Sequence, residues 1–235
     1  MYGGFHNIIE AFKKLGDKEG KLFNGEREFV KYVIFDFDGT LVDSKLAILE
    51  AWNTIAEKYR FKKVDESEID EIKKLTMNER SKRFDFPLYK LPIVMPLFYQ
   101  TYKKSLEEVE LFKGIKDLFE QLNVNGYNIA IISSNAKENI EALLKRQQIN
   151  NVSEILCSSR VFGKDKIIQR FLKNHQLKST DVIYVGDEDR DIVACKKVGI
   201  KIIWVEWGYD AFEVVKNSKP DYTVSEPKEI LNIIK

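Results

Sequence analysis

Tyr32-Val33-Ile34-Phe35, followed directly by Asp36-Phe37-Asp38-Gly39-Thr40, is the stretch on which the fold of this 235-residue chain turns. Four consecutive residues that are β-branched or aromatic predict a strand buried on both faces, as strands inside a parallel sheet are. Two acids and a glycine immediately after it predict a polar loop at the strand's carboxyl end.

Outward from this strand, towards the C-terminus, the same alternation repeats. Asn128-Ile129-Ala130-Ile131-Ile132, Glu154-Ile155-Leu156-Cys157, Val182-Ile183-Tyr184-Val185 and Lys201-Ile202-Ile203-Trp204-Val205 read as four more strands. Between them lie helical faces: Ile115, Leu118, Phe119 and Leu122; Ile140, Leu143 and Leu144; Ile167, Ile168, Phe171 and Leu172; Ile192, Val193 and Val198. Strand and helix in strict alternation imply a parallel sheet with helices on both faces.

Residues 44 to 110 break the pattern. Ile48, Leu49, Trp52, Ile55, Ala56 and Tyr59 mark one helical face, with Ser44 placed to cap it. Further helical pieces follow, interrupted near Pro87, Pro92 and Pro96, with no alternating strand. This segment is expected to be a helical domain inserted into a core formed by residues 31–43 and 111–235. Residues 1–30 precede the first strand, and Ile8, Ile9, Phe12 and Leu15 predict a short amphipathic helix there. Gly16-Asp17-Lys18-Glu19-Gly20-Lys21 superficially resembles a phosphate loop, but it lacks the following Ser or Thr and does not follow a strand, so it reads as a solvated turn.

Composition narrows the function. Hydrophobic residues at 44% and charged residues at 32% suit a globular chain and argue against disorder. With 38 Lys plus Arg against 37 Asp plus Glu, nothing points to nucleic acid or an anionic membrane as partner. No apolar run spans a bilayer, and Met1 to Glu10 lacks the pattern of a signal peptide. Cys157 and Cys195 have no metal-ligand spacing and no disulfide framework, so a reduced cytoplasmic protein is expected. Its expected association state is monomer or homodimer.

The chemistry sits at strand ends. Asp36 with Asp38, Ser133, and Asp187 followed by Asp191 each come at or just after the carboxyl end of a strand. Ligands of open parallel sheets bind at that edge, so residues far apart in sequence would converge there. A carboxylate can attack phosphorus, and a second one two residues on can serve as acid and then base. Crowded carboxylates call for a cation, and Mg²⁺ prefers such oxygen donors. A Ser hydroxyl can hold a phosphate oxygen, and a lysine after the third strand can supply a positive charge.

These residues resemble a known family. Asp36-Phe37-Asp38-Gly39-Thr40, Ser133, Lys164 and Gly186-Asp187-Glu188-Asp189-Arg190-Asp191 look like the four ordered motifs of the haloacid dehalogenase superfamily. Leu41-Val42-Asp43-Ser44 and Trp207-Gly208-Tyr209 are similar to its phosphoglycolate phosphatase-like branch. The resemblance covers residues 31 to 233. It implies a Rossmann-like sheet, with strand order 3-2-1-4-5 expected, and a helical cap after the first strand. It further implies Asp36 as nucleophile, Asp38 as general acid and base, and Mg²⁺ held by Asp36, the Asp38 main-chain carbonyl and Asp187. Asp191 would orient Lys164 or metal-bound water, and Gly39 and Thr40 would support the loop. Phosphate would be held by Ser133 or Ser134 and by Lys164, with Lys166 as the competing lysine. The implied partner is a small phosphorylated metabolite.

Other features read as structural. Phe84, Phe86, Tyr89, Phe98, Tyr99 and Tyr102 are expected in the core of the insert, and His6, His175 and both cysteines in packing or solvent roles. Arg80, Lys82 and Arg83 form a basic cluster, either a solvated face or a contact to an anionic substrate. A phosphomutase of the same fold, or a binding protein that kept it, are the competing functions. Dehalogenation would leave Asp38 without a task, because a departing halide needs no proton.

Overall fold

In the computed structural model, which describes residues 30–158 and 163–235, the apolar run at 32–35 lies at the centre of the sheet. The expected N-terminal helix, His6 and the Gly16–Lys21 turn lie outside the described residues. The strands in chain order are β1 (Tyr32–Phe35), the short β2 (Val42–Asp43) and β3 (Glu110–Leu111), β4 (Asn128–Ser133), β5 (Val152–Cys157), β6 (Val182–Gly186), β7 (Lys201–Val205) and β8 (Tyr222–Val224). The helices are α1 (Lys45–Tyr59), α2 (Ile69–Ile72), α3 (Met77–Arg83), α4 (Leu91–Tyr102), α5 (Ile115–Val124), α6 (Lys137–Arg146), α7 (Lys164–Asn174), α8 (Asp189–Val198), α9 (Phe212–Val215) and α10 (Ile230–Ile234).

Six strands pair in parallel in the order β5-β4-β1-β6-β7-β8. Tyr32 pairs with Asn128 on one side and Val182 on the other. The expected order 3-2-1-4-5 therefore needs one correction, the addition of β8 at the edge. That strand has only three residues, too few to show a period in the sequence, and it follows Pro220 and Asp221. Asp221 Oδ2 accepts a hydrogen bond from the Ile202 amide and so ties the approach to β8 against β7.

The period of two assigns each strand residue a face. Val33, Phe35, Ile129, Ile131, Ile183 and Val185 bury one face against α5, α6 and α10. Ile34, Ala130, Ile132, Val182 and Tyr184 bury the other against α7 and α8. Both faces are thus covered, as an unbroken apolar run requires.

Between β2 and β3 the chain is helical. β2 and β3 pair antiparallel, Val42 with Leu111 and Asp43 with Glu110, so the outgoing and returning crossings are tied together. The helices enclose their own cluster, with Ile55, Val64, Phe84, Phe86 and Val94 at its centre. Pro96 does not end α4 as the sequence suggested, but lies inside it. Proline removes one intrahelical hydrogen bond there, and packing of α4 along α1 offsets that loss.

Phe119 on α5 packs on Phe35 of β1 with ring centroids 5.1 Å apart, and both are fully buried. Phe119→Ala should lower unfolding stability by about 3–5 kcal/mol, through lost burial and the cavity left behind, as read by urea denaturation.

Candidate active site

The Asp36 amide donates to Val185 O at 2.9 Å, so the ladder between β1 and β6 continues one residue beyond β1 and fixes where this carboxylate emerges. The amides of Leu41 and Val42 both turn back to Phe37 O, which bends the chain sharply after Asp36. Gly39 sits in that bend at φ +79°, and a Cβ there would strike the Asp187 carboxylate. Only glycine meets both demands, the left-handed backbone and the close approach.

Lys164 is the first residue of α7 and is 2% exposed. Its Nζ lies 2.8 Å from Asp36 Oδ2 and 2.6 Å from Asp191 Oδ1. Burial works against its charge, but Asp191 and Asp36 outweigh it and hold the ammonium above the ordinary lysine range. Lys166, the competing lysine, is exposed on the same helix. Asp191 also accepts from the Glu188 amide at 3.3 Å, closing a capping box at the start of α8. It therefore both caps the helix and pairs with Lys164.

Asp38 faces away from this pair. Its Oδ1 accepts from the hydroxyls of Ser44 at 2.7 Å and Tyr102 at 2.8 Å, and its Oδ2 from Asn135 Nδ2 at 2.8 Å. Burial pushes its pKa up, and the three hydrogen bonds pull against that shift. Ser44 stands at the N-cap position of α1 without capping it, because its hydroxyl is committed to Asp38 and to Tyr209 Oη at 2.6 Å. Tyr102 was expected in the core of the insert. It is fully buried but delivers its hydroxyl to Asp38, whereas Tyr89 is 76% exposed. Ser44, Tyr102, Asn135 and Tyr209 were not assigned to the site from sequence. The one signal available was the run of polar residues Ser133-Ser134-Asn135 after a buried strand.

Ser133 ends β4, is buried, and accepts the Asn135 amide on its Oγ at 3.0 Å. Ser134 is half-buried beside Arg190.

Asp187 emerges at the end of β6 with both oxygens engaged. Oδ1 accepts from Thr40 at 2.8 Å and Oδ2 from the Tyr209 amide at 2.7 Å. Burial, then Glu188, Asp36 and Asp191, push its pKa well above the carboxylate range. Glu188 is held low because the Arg190 guanidinium beside it outweighs burial.

Carboxylate oxygens of Asp36, Asp187, Glu188 and Asp191 lie within 4.8 Å of one another. Two cations, Lys164 and Arg190, are in contact with this group. When all four acids are ionised, two negative charges remain uncompensated, which is the charge of one divalent cation. All-oxygen, buried, crowded donors fit a hard divalent cation. The carboxylate of Asp38 is outside the group, while Glu188 and Asp191 join it.

The basic cluster Arg80, Lys82 and Arg83 is not a single surface. Arg80 pairs with Asp210 at 2.6 Å and also bonds Ile72 O and Tyr209 O, joining α3 to the loop after β7. Arg83 pairs with Glu68, and Lys82 is exposed. Arg80 and Arg83, three residues apart, share a helix face but reach different acids, so the three side chains do not converge on one spot.

Known proteins match most of this chain. The profile of haloacid dehalogenase-like hydrolases matches residues 33–205. A phosphoglycolate phosphatase from Synechococcus elongatus is 27% identical over 203 residues, covering 86% of this chain and 96% of its own. A pyrophosphatase, PpaX, from Bacillus mycoides is 21% identical over 210 residues, covering 87% and 97%. A solved haloacid dehalogenase-like family hydrolase from Streptococcus pneumoniae superposes with a TM-score of 0.73 at 25% identity, covering 88% of this chain and 99% of that one. The motifs along the sequence, the sheet that gathers them and the profile spanning residues 33–205 together place this chain in the haloacid dehalogenase-like hydrolase family.

Proposed function

We propose that this chain is a Mg²⁺-dependent phosphatase that cleaves a small phosphorylated metabolite through an aspartyl-phosphate on Asp36. The observation that carries the reading is the division of labour between two acids two residues apart. Asp36 meets Lys164 and stands among the metal-type carboxylates, whereas Asp38 meets only neutral hydrogen-bond donors.

An oxygen of Asp36 attacks phosphorus. The bond from phosphorus to the alcohol oxygen breaks, its electron pair stays on that oxygen, and Asp38 gives it a proton. Water then attacks the phosphorus of the aspartyl-phosphate, yields a proton to Asp38, and the bond to Asp36 breaks. Both acids are restored. Burial favours the protonated form of Asp38 and so suits it to the first step. Lys164 offers its charge to a phosphate oxygen while keeping Asp36 oriented, and Ser133 or Ser134 supplies a hydroxyl to another. Asp36, Asp187 and the Asp38 main-chain carbonyl would hold Mg²⁺, which when bound neutralises phosphate charge.

Residues 44–110 serve as a cap over a core of residues 31–43 and 111–235, excluding water during the reaction. Cys157 and Cys195 are unpaired, in keeping with a reducing cytoplasm. Among the described residues no helix is long and apolar enough to cross a membrane. Relatives named phosphoglycolate phosphatase and pyrophosphatase make those two substrates the first members of an assay panel.

Asp36→Asn keeps the shape but removes the nucleophilic charge, and phosphate release should fall by at least about a thousandfold. EDTA should abolish release by the unaltered protein and added Mg²⁺ should restore it. Full activity in either case would remove the mechanism. At Gly208 an added Cβ would overlap the Asp187 side chain. Gly208→Ala should therefore displace that carboxylate and cost about a hundredfold in kcat with the circular dichroism spectrum unchanged.

A further inference from the structure

The helical layer holds a cavity of about 300 Å³ that opens on the catalytic end of the sheet. Its interior wall is apolar, with Trp52, Phe84, Phe86, Val94 and Phe98 among its lining residues. Asp38, Ser134 and Arg190 stand at the other end, and Asp36 is not part of the lining. That asymmetry gives the cavity a direction. The nucleophile and the leaving oxygen lie on opposite sides of the phosphorus, and the acid stands beside the leaving oxygen. Whatever is esterified to the phosphate therefore extends from the Asp38 side, into this cavity.

The charges on its wall are largely engaged. Lys45 lies 3.4 Å from Asp43, Arg80 pairs with Asp210, and Arg190 pairs with Glu188. Lys73 also lines the cavity and has no ion pair or side-chain hydrogen bond among the described residues. A polyol placed against Trp52, Phe84 and Phe86 would bury hydroxyls without partners, whereas an apolar group would exclude water at no such cost. The volume also exceeds what a two-carbon acid needs.

Resting on the phosphatase reading above, we infer that this cavity is the alcohol-side subsite. It takes a phosphate monoester whose body is apolar and ring-sized, with Lys73 able to meet one acidic substituent.

The test uses the full chain with Mg²⁺. Calorimetry compares naphthylmethylphosphonate with methylphosphonate, and phosphate release compares 1-naphthyl phosphate with phosphoglycolate. The naphthyl phosphonate should bind at least tenfold tighter, and kcat/KM for 1-naphthyl phosphate should be at least tenfold the higher. Val94→Phe, which fills the apolar end, should weaken the naphthyl phosphonate at least tenfold. An unchanged affinity in that variant, or equal affinities of the unaltered protein for the two phosphonates, would overturn the inference whatever the turnover. A clear preference in binding with no hydrolysis of any ester would leave the subsite standing and overturn the phosphatase reading instead.

Discussion

One buried ammonium holds this site together. Lys164 lies between Asp36 and Asp191, so a residue from the start of α7 bonds a residue after β1 and another in α8. Without it, two carboxylates would face each other out of water, next to Asp187 and Glu188. Desolvation of an unpaired charge is among the most costly terms in a protein interior. The pairing therefore constrains three segments at once. It fixes where α7 begins, which face of α8 turns inward, and how far β1 runs before its chain bends.

The loop after β7 extends that constraint to the helical layer. Tyr209 gives its amide to Asp187 and its hydroxyl to Ser44, while Asp210 accepts from the Asp189 amide and from Arg80. The Ala211 amide bonds Lys73 O. Three successive residues thus connect the acidic cluster, the start of α8 and two helices of the layer. This short segment thereby ties α3 to the groups around Asp38 and Asp187.

Much of this was legible from residue order. The apolar runs at 32–35 and 182–185 mark buried strands because each side of the sheet is covered, and the acids beyond them fall at one edge because parallel strands share a direction. The choice between Lys164 and Lys166 was not legible, since it depends on which face of α7 turns to Asp36 and Asp191. Nor were the partners of Asp38. Ser44 looks like a helix cap and Tyr102 like one aromatic among six, and only the folding of α4 back to the sheet brings its last residue to a carboxylate. The edge strand β8 was missed because three residues are too few to show a period of two.

The placement of β1 at the centre of the sheet also governs how the chain must be assembled. Tyr32 pairs with Asn128 and Val182, so the central strand is synthesised before either neighbour exists. Residues 45–102, in which α1 packs along α4, emerge next. An apolar strand with two bare edges must meanwhile wait for β4 and then β6, and such edges invite pairing with other chains. The topology that gathers Asp36, Ser133 and Asp187 at one rim thereby makes the newborn chain dependent on its last third being made before its first strand is protected.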